Sequence, residues 1–272
     1  MSGDARAVDA SLLETVVARL RAAGCVFAED EAALLLEAAP DGGDQLEALL
    51  ARRVAGDPLE HILGWAEFAG LRMAVGPGVF VPRRRTEFLV ACALGGTPSD
   101  AVVLDLCCGS GAVGAAIAAA APGAVVYGAE LDPAAVRSAR QNLAPERVFA
   151  GDLYEALPAA LRGTLDLLVV NAPYVPTAAI ATMPPEARLH EAPMALDGGD
   201  DGLDVQRRVV AGAAEWLKPG GRLLIETSER QAPSTAALFE ARGLHPRIER
   251  SDELDATVVV GTRPAPSSQT AG

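Results

Sequence analysis

The residues best equipped for chemistry stand at the ends of apolar runs. Val102-Val103-Leu104-Asp105-Leu106-Cys107-Cys108-Gly109-Ser110-Gly111-Ala112-Val113-Gly114 reads as a strand, a glycine loop and the start of a helix. Glycines let the backbone come close to a ligand, and a helix N-terminus offers free amides and positive potential. Asp105, at the strand end, can order that loop or meet a cationic ligand. The next strand ends in Gly128-Ala129-Glu130, where a carboxylate at the edge of a crevice can accept hydrogen bonds from two ribose hydroxyls. Asp152, after the third strand, is placed to contact an adenine amino group. A fourth run, Asp166-Leu167-Leu168-Val169-Val170, leads into Asn171-Ala172-Pro173-Tyr174, a loop expected beside the same ligand.

Gly109, Gly111 and Gly114 also satisfy GxGxxG, so a dinucleotide oxidoreductase has to be weighed. Three features favour S-adenosylmethionine instead. Asp105 occupies the strand end where dinucleotide sites begin their glycines, Asp152 supplies a third polar contact, and the chain closes with a hairpin that suits a methyltransferase topology.

These residues need a scaffold of alternating strands and helices. Strands are expected near 101–106, 124–130, 147–150, 165–170 and 221–226, with a helix near 86–94 ahead of them and amphipathic helices between. That alternation implies right-handed crossovers and a doubly wound, mainly parallel sheet covered on both faces. Leu244–Arg250 and Thr257–Thr262, joined by a short acidic turn, read as a terminal antiparallel hairpin. Upstream, Leu12, Leu13, Val16, Val17 and Leu20, then Leu34–Leu36, then Leu46, Leu49 and Leu50 have helical spacing broken by Gly24 and Pro40-Asp41-Gly42-Gly43. The expected organisation is a helical domain over 1–60, a linking β-hairpin over 61–83, the α/β domain over 84–264 and a flexible tail over 265–272.

Composition narrows the class. A chain of 272 residues, half of them hydrophobic, can bury two cores. No apolar run reaches membrane-spanning length, and Met1-Ser2-Gly3-Asp4-Ala5-Arg6 lacks the pattern of a secretory signal, so a soluble, cytoplasmic protein is expected. Cys25, Cys92, Cys107 and Cys108 include no CxxC pair, which points to a reducing compartment. A net charge of −13 repels polyanions and argues against a nucleic-acid substrate. Arg83-Arg84-Arg85 is read as a solvated turn. His61, His190 and His245 lack partners at metal spacing and are assigned to the surface or to supporting positions; no metal is expected. Trp65 and Trp216 are expected to pack, and Glu191 either to orient the acceptor loop or to join a helix-cap network.

The Asn171-Ala172-Pro173-Tyr174 loop resembles the Asn-Pro-Pro-Tyr loop of class I methyltransferases, and specifically that of the release-factor glutamine methyltransferases, the HemK family. The likeness covers most of the chain. It includes His61-Ile62-Leu63-Gly64, Pro77-Gly78-Val79-Phe80-Val81-Pro82-Arg83, the segment from Glu191 to Asp204 that ends in Asp201-Gly202-Leu203-Asp204, and Lys218-Pro219-Gly220-Gly221. The resemblance implies a seven-stranded class I sheet with S-adenosylmethionine as cofactor. Its contacts would be Asp105, Cys107, Gly109, Gly111, Glu130, Leu131, Asp152, Leu153 and Asn171. It implies also that the Asn171 side chain and the Ala172 carbonyl grip the acceptor amide, while Pro173 and Tyr174 shape the pocket. The acceptor would be a glutamine in the Gly-Gly-Gln motif of a peptide chain release factor, modified by a monomeric enzyme.

Elementary chemistry agrees with that division of labour. A carboxamide nitrogen is a poor nucleophile whose proton is too weakly acidic to be removed beforehand, so two acceptors must hold its N–H bonds and aim it at the methyl group. Those bonds strengthen as the nitrogen gains positive charge. The chain departs from the family at Ala172 for the first proline, Cys107 for the first glycine, Ala192 for a proline, His190 for an aromatic residue, and Glu226-Thr227-Ser228-Glu229-Arg230-Gln231 for a Glu-Ile-Gly-Glu pattern. Without the fixed φ of proline, the grip at Ala172 is less preorganised. Two alternatives stay open: methylation of an exocyclic amine or amide of a nucleic acid or small metabolite, and a cofactor-binding protein without catalysis.

Overall fold

The computed structural model describes residues 10–265, so the Met1–Arg6 segment and the tail from Pro266 onward lie outside the described residues. The chain divides into two compact units after Gly64.

The smaller unit contains α1 (Ala10–Ala22), α2 (Ala28–Ala38), α3 (Gly43–Val54) and the short α4 (Leu59–Leu63). Apolar positions three and four apart put Val16, Leu20, Leu35, Leu46 and Leu50 into one core. Arg53 is buried there with Glu31, Nε to Oε2 at 2.6 Å, so neither charge is desolvated alone. His61, expected at the surface or in a supporting position, is buried. Gly64 ends α4 in the left-handed conformation, and the short helix turns both His61 and Ile62 inward.

The larger unit opens with the hairpin β1 (Trp65–Phe68) and β2 (Leu71–Ala74), paired Trp65 to Ala74. Expected as a linker, it belongs to this unit. Its alternating inward residues Phe68 and Met73 join the main core, while the outward Arg72 stacks on Trp65. α5 (Glu87–Leu94) follows. Then come β3 (Val102–Leu106), α6 (Ala112–Ala120), β4 (Val125–Glu130), α7 (Pro133–Asn142), β5 (Val148–Ala150) and β6 (Leu165–Val170). The chain continues through α8 (Pro185–His190), α9 (Asp204–Trp216), β7 (Leu217–Thr227), α10 (Ala232–Glu240), β8 (His245–Ser251) and β9 (Ala256–Thr262).

The seven strands lie in the order β5-β4-β3-β6-β7-β9-β8. β5, β4, β3, β6 and β7 are parallel, and β9 runs antiparallel between β7 and β8. β7 begins at Leu217, earlier than the expected 221, because Leu217 already pairs with Leu165 across a register irregularity. Central strands are apolar on both sides. Val103, Leu167 and Val169 face the layer built on α5, α6 and α7, whereas Leu104, Leu106, Leu168 and Val170 face the layer of α9 and α10. Trp216, at the end of α9, is buried and stacked on Tyr154 with ring centroids 5.7 Å apart. Trp216→Ala should lower the unfolding free energy by about 3–5 kcal/mol, read as a shift of the urea midpoint.

Candidate active site

The parallel order brings the carboxyl ends of β3, β4 and β6 side by side, and the loops leaving them line one cavity. Asp105, Cys107, Gly109, Glu130, Leu131, Asp152, Leu153 and Asn171 through Tyr174 all border it. Gly111 does not. It starts α6 at φ +77°, and a Cβ there would lie 3.3 Å from the Cα and Cβ of Ala139, so its smallness serves the packing of α6 on α7.

Glu130 organises the glycine loop. Its Oε2 accepts from the Gly109 amide at 2.8 Å, and its Oε1 accepts from the amides of Leu131 at 2.7 Å and Asp132 at 2.9 Å. Asp132 then caps α7 by accepting from the Ala134 amide. Asp105 is buried and accepts from the Gly114 amide at 2.8 Å. Burial pushes its carboxyl up to about 7, the Gly114 hydrogen bond opposes that, and the charge of Glu130 adds to it. A Cβ on Gly114 would stand 3.1 Å from Asp105 Oδ2, so glycine is what lets this amide approach.

Burial also drives the Cys107 and Cys108 thiols far above their ordinary range, with Glu130 and Asp105 adding repulsion. Cys107 holds φ +59°, a left-handed conformation in which glycine costs nothing. Asp152 faces the cavity with an ion pair to Arg208 on α9, Oδ2 to Nη2 at 2.7 Å. Arg208 carries no motif signal in the sequence; only the packing of α9 brings it here. Arg83 and Arg85 also border the cavity but pair with Glu191 and Glu226, so with Arg208 matched by Asp152 the lining keeps a surplus of carboxylates in Asp105, Glu130 and Asp132. This suits a cationic ligand with hydroxyl groups and opposes a diphosphate.

The loop after β6 is braced from several sides. Asn171 donates from Nδ2 to the Thr86 hydroxyl at 3.3 Å, which leaves Oδ1 as the carboxamide atom available to a ligand. The Ala172 side chain is buried. The Tyr174 hydroxyl donates to Glu226 Oε1 at 3.3 Å, and Arg85 lies over its ring at 5.8 Å. Gln231 clamps the loop by donating from Nε2 to the carbonyls of Tyr174 at 3.0 Å and Asp201 at 2.9 Å. The Asp197–Asp204 segment runs alongside: the Gly198 amide donates to the Val175 carbonyl, and Asp197 accepts from the Thr177 hydroxyl.

Arg83-Arg84-Arg85 is the turn expected, with Arg84 and Arg85 exposed and Arg83 half-buried. Arg84–Thr86 form a 3₁₀ turn leading into α5. Arg83 pairs with the buried Glu191, and Arg85 Nε lies 3.5 Å from the buried Glu226. Two buried carboxylates need cations, and Arg83 and Arg85 supply them from this solvated turn. Glu191 also accepts from the Val81 amide at 3.2 Å, so it ties the 77–83 segment to the acceptor-loop region. Burial raises the Glu226 carboxyl, opposed by hydrogen bonding from Thr86 and by the charge of Arg85. Thr86, Arg85, Glu226 and Gln231 escape sequence reasoning. The family-like match at Pro77–Arg83 stops one residue short of this cluster, and the departures at 226–231 are visible only as mismatches.

The sheet order and the loops at its carboxyl edge define a class I methyltransferase. A family model described as "Methyltransferase small domain" matches residues 72–201. A release factor glutamine methyltransferase of Geobacter sulfurreducens is 41% identical over 219 residues, covering 79% of this chain and 76% of that protein. A 4-amino-L-phenylalanine/4-methylamino-L-phenylalanine methyltransferase of Streptomyces pristinaespiralis is 41% identical over 202 residues, covering 71% and 68%. A solved methyltransferase from Pyrococcus furiosus shares the fold with a TM-score of 0.55 at 16% identity, covering 72% of this chain and 90% of that one. The chain belongs to the release factor glutamine methyltransferase family.

Gly202 sits at φ +78° where a Cβ would be 2.3 Å from the Tyr174 carbonyl oxygen. Gly202→Ala should cost about 1–2 kcal/mol from the left-handed backbone alone. It should also lower methyl transfer more than cofactor affinity, as compared by thermal unfolding and a turnover assay.

Proposed function

We propose that this chain, as a cytoplasmic monomer, transfers a methyl group from S-adenosylmethionine to the side-chain amide nitrogen of a glutamine in the Gly-Gly-Gln motif of a peptide chain release factor. The observation that carries the reading is the Asn171 carboxamide, tied back through Nδ2 to Thr86 at the mouth of an acidic cavity. Its free Oδ1, with the Ala172 carbonyl, forms the pair of acceptors that a primary amide needs. Family membership supports the cofactor and the acceptor class.

The residues present fit the cofactor. Glu130 has lone pairs left for the ribose hydroxyls, and the glycine loop leaves room for a close backbone approach. Asp105 offers a buried carboxyl to a cation, and Asp152, Leu131 and Leu153 border the place for the adenine. When bound, S-adenosylmethionine supplies an electrophilic sulfonium methyl. Asn171 and Ala172 hold both N–H bonds of the acceptor and turn its nitrogen toward that methyl, and their acceptor oxygens gain energy as positive charge develops on nitrogen. The surplus proton leaves afterwards to water. Pro173 and Tyr174 wall the path, with the Tyr174 hydroxyl anchored on Glu226.

An aromatic amine also carries two N–H bonds, and the relative from Streptomyces pristinaespiralis is named for such acceptors. This makes a small aryl amine the second reading.

Incubation with labelled S-adenosylmethionine, a release factor and 4-aminophenylalanine separates the two. Label in the Gly-Gly-Gln peptide by mass spectrometry is expected; label only on the amino acid would transfer the function to the second reading. Asn171→Ala should abolish transfer while cofactor affinity stays within about threefold, since one lost acceptor hydrogen bond at the reacting centre is worth far more in turnover than in cofactor binding.

Asp105 gives a further signature. A cation bound beside it favours the ionised carboxylate and lowers a value of about 7, so cofactor binding near pH 6 should release a proton. Calorimetry in buffers of different ionisation enthalpy should detect that release in the wild-type chain and miss it in Asp105→Asn.

A further inference from the structure

Two of the positions where this chain departs from the family pattern are joined through one side chain. Ala172 stands where that pattern has its first proline, and Ser228 stands where Glu-Ile-Gly-Glu has its glycine. The side chain between them is that of Gln231, which is buried. Its Nε2 donates to the Tyr174 carbonyl at 3.0 Å and to the Asp201 carbonyl at 2.9 Å, and its Oε1 accepts from the Ser228 hydroxyl at 2.6 Å. Carbonyls can only accept, so a single orientation of the amide satisfies all three contacts. A glycine at 228 would take away the donor to Oε1. The backbone beneath is fixed as well: the Gln231 amide donates to the Ser228 carbonyl at 3.0 Å, and the Gln231 carbonyl accepts from the Thr235 amide at 2.9 Å.

The loop after β6 needs such a hold at its downstream end. Upstream, Val170 is paired in the sheet with Leu106 and Ile225. Pro173 fixes its own φ and pushes the ψ of the residue before it toward extended values. The φ of Ala172 has no ring to fix it, and turning it swings the Ala172 carbonyl off the acceptor and carries Tyr174 along. A Tyr174 carbonyl held by Gln231 resists that rotation from the far side.

We propose that Ser228 and Gln231 form a positioning clamp which supplies, at the Tyr174 carbonyl, the preorganisation that a proline at 172 would give the Ala172 carbonyl. The inference rests on the reading that the Ala172 carbonyl holds an acceptor N–H. Neither Ser228 nor Gln231 borders the cofactor cavity, so both act through the loop.

Gln231→Met keeps the length of the side chain and removes its hydrogen bonds. In turnover with the release factor it should lower kcat by about tenfold to a hundredfold, the scale of a small misplacement of reacting atoms, with KM for S-adenosylmethionine nearly constant. Ser228→Ala should lose part of that activity, and Ser228→Thr, which keeps the hydroxyl, should retain most of it. In the Ala172→Pro background Gln231→Met should cost about threefold or less, because both constraints act on one torsion; a residue that served the fold alone would cost the same factor in either background. Hydrogen exchange at the Val175 amide, which donates to the Leu196 carbonyl at 3.1 Å, reads the loop without any acceptor. It should quicken in Gln231→Met and in Ser228→Ala, and slow again when Ala172→Pro is added to Gln231→Met. Exchange at Val175 indifferent to both Gln231→Met and Ser228→Ala would overturn the clamp, as would equal losses of kcat on Gln231→Met in folded chains with alanine and with proline at 172. Exchange that responds as expected while the wild-type chain methylates no release factor would support the clamp and fault the acceptor reading alone.

Discussion

The larger unit depends on β3 having parallel neighbours on both sides. With β4 on one flank and β6 on the other, three strands deliver their carboxyl ends to one edge. A loop leaving each then faces the same space. Glu130 turns that adjacency into a fixed surface. One side chain at the end of β4 collects amides from the loop after β3 and from the turn into α7, so two connections share an anchor. A sheet in another order would hold the same residue types with nothing between them to bind.

Much of this was legible in the chain. The apolar runs ending at Leu106, Glu130, Ala150 and Val170 mark strands whose two faces are both buried, and their alternation with helices dictates a parallel arrangement. Asp105, Glu130 and Asn171 could be singled out because each stands at or beside the carboxyl end of such a run, so strand direction alone places them at the active edge. Gly111 is different. A glycine in a ligand loop and a glycine under a packed helix look alike in sequence, and only the closeness of Ala139 separates them.

What stayed hidden is carried by contacts between distant segments. Thr86 meets Asn171 across 85 positions, and Gln231 meets Tyr174 across 57. No local pattern encodes such pairs. The arginine run illustrates the same point: it faces water as its composition suggests, but nothing local shows that Arg83 and Arg85 pair with the buried Glu191 and Glu226. The hairpin likewise reads as a connector until Phe68 and Met73 are seen to fill the core of the larger unit. Here burial needed by one element overrides the surface preference of another.

The adjacent thiols of Cys107 and Cys108 border the same cavity as Asn171. A thiolate is a far stronger nucleophile than any carboxamide, so an exposed cysteine beside an activated methyl donor would consume it and alkylate the enzyme's own loop. Burial and the facing carboxylates keep both sulfurs in the protonated, unreactive form. Arg208 acts on Cys107 in the opposite sense, but it is paired with Asp152, so the acidity that welcomes a cationic donor also protects the protein from self-inactivation.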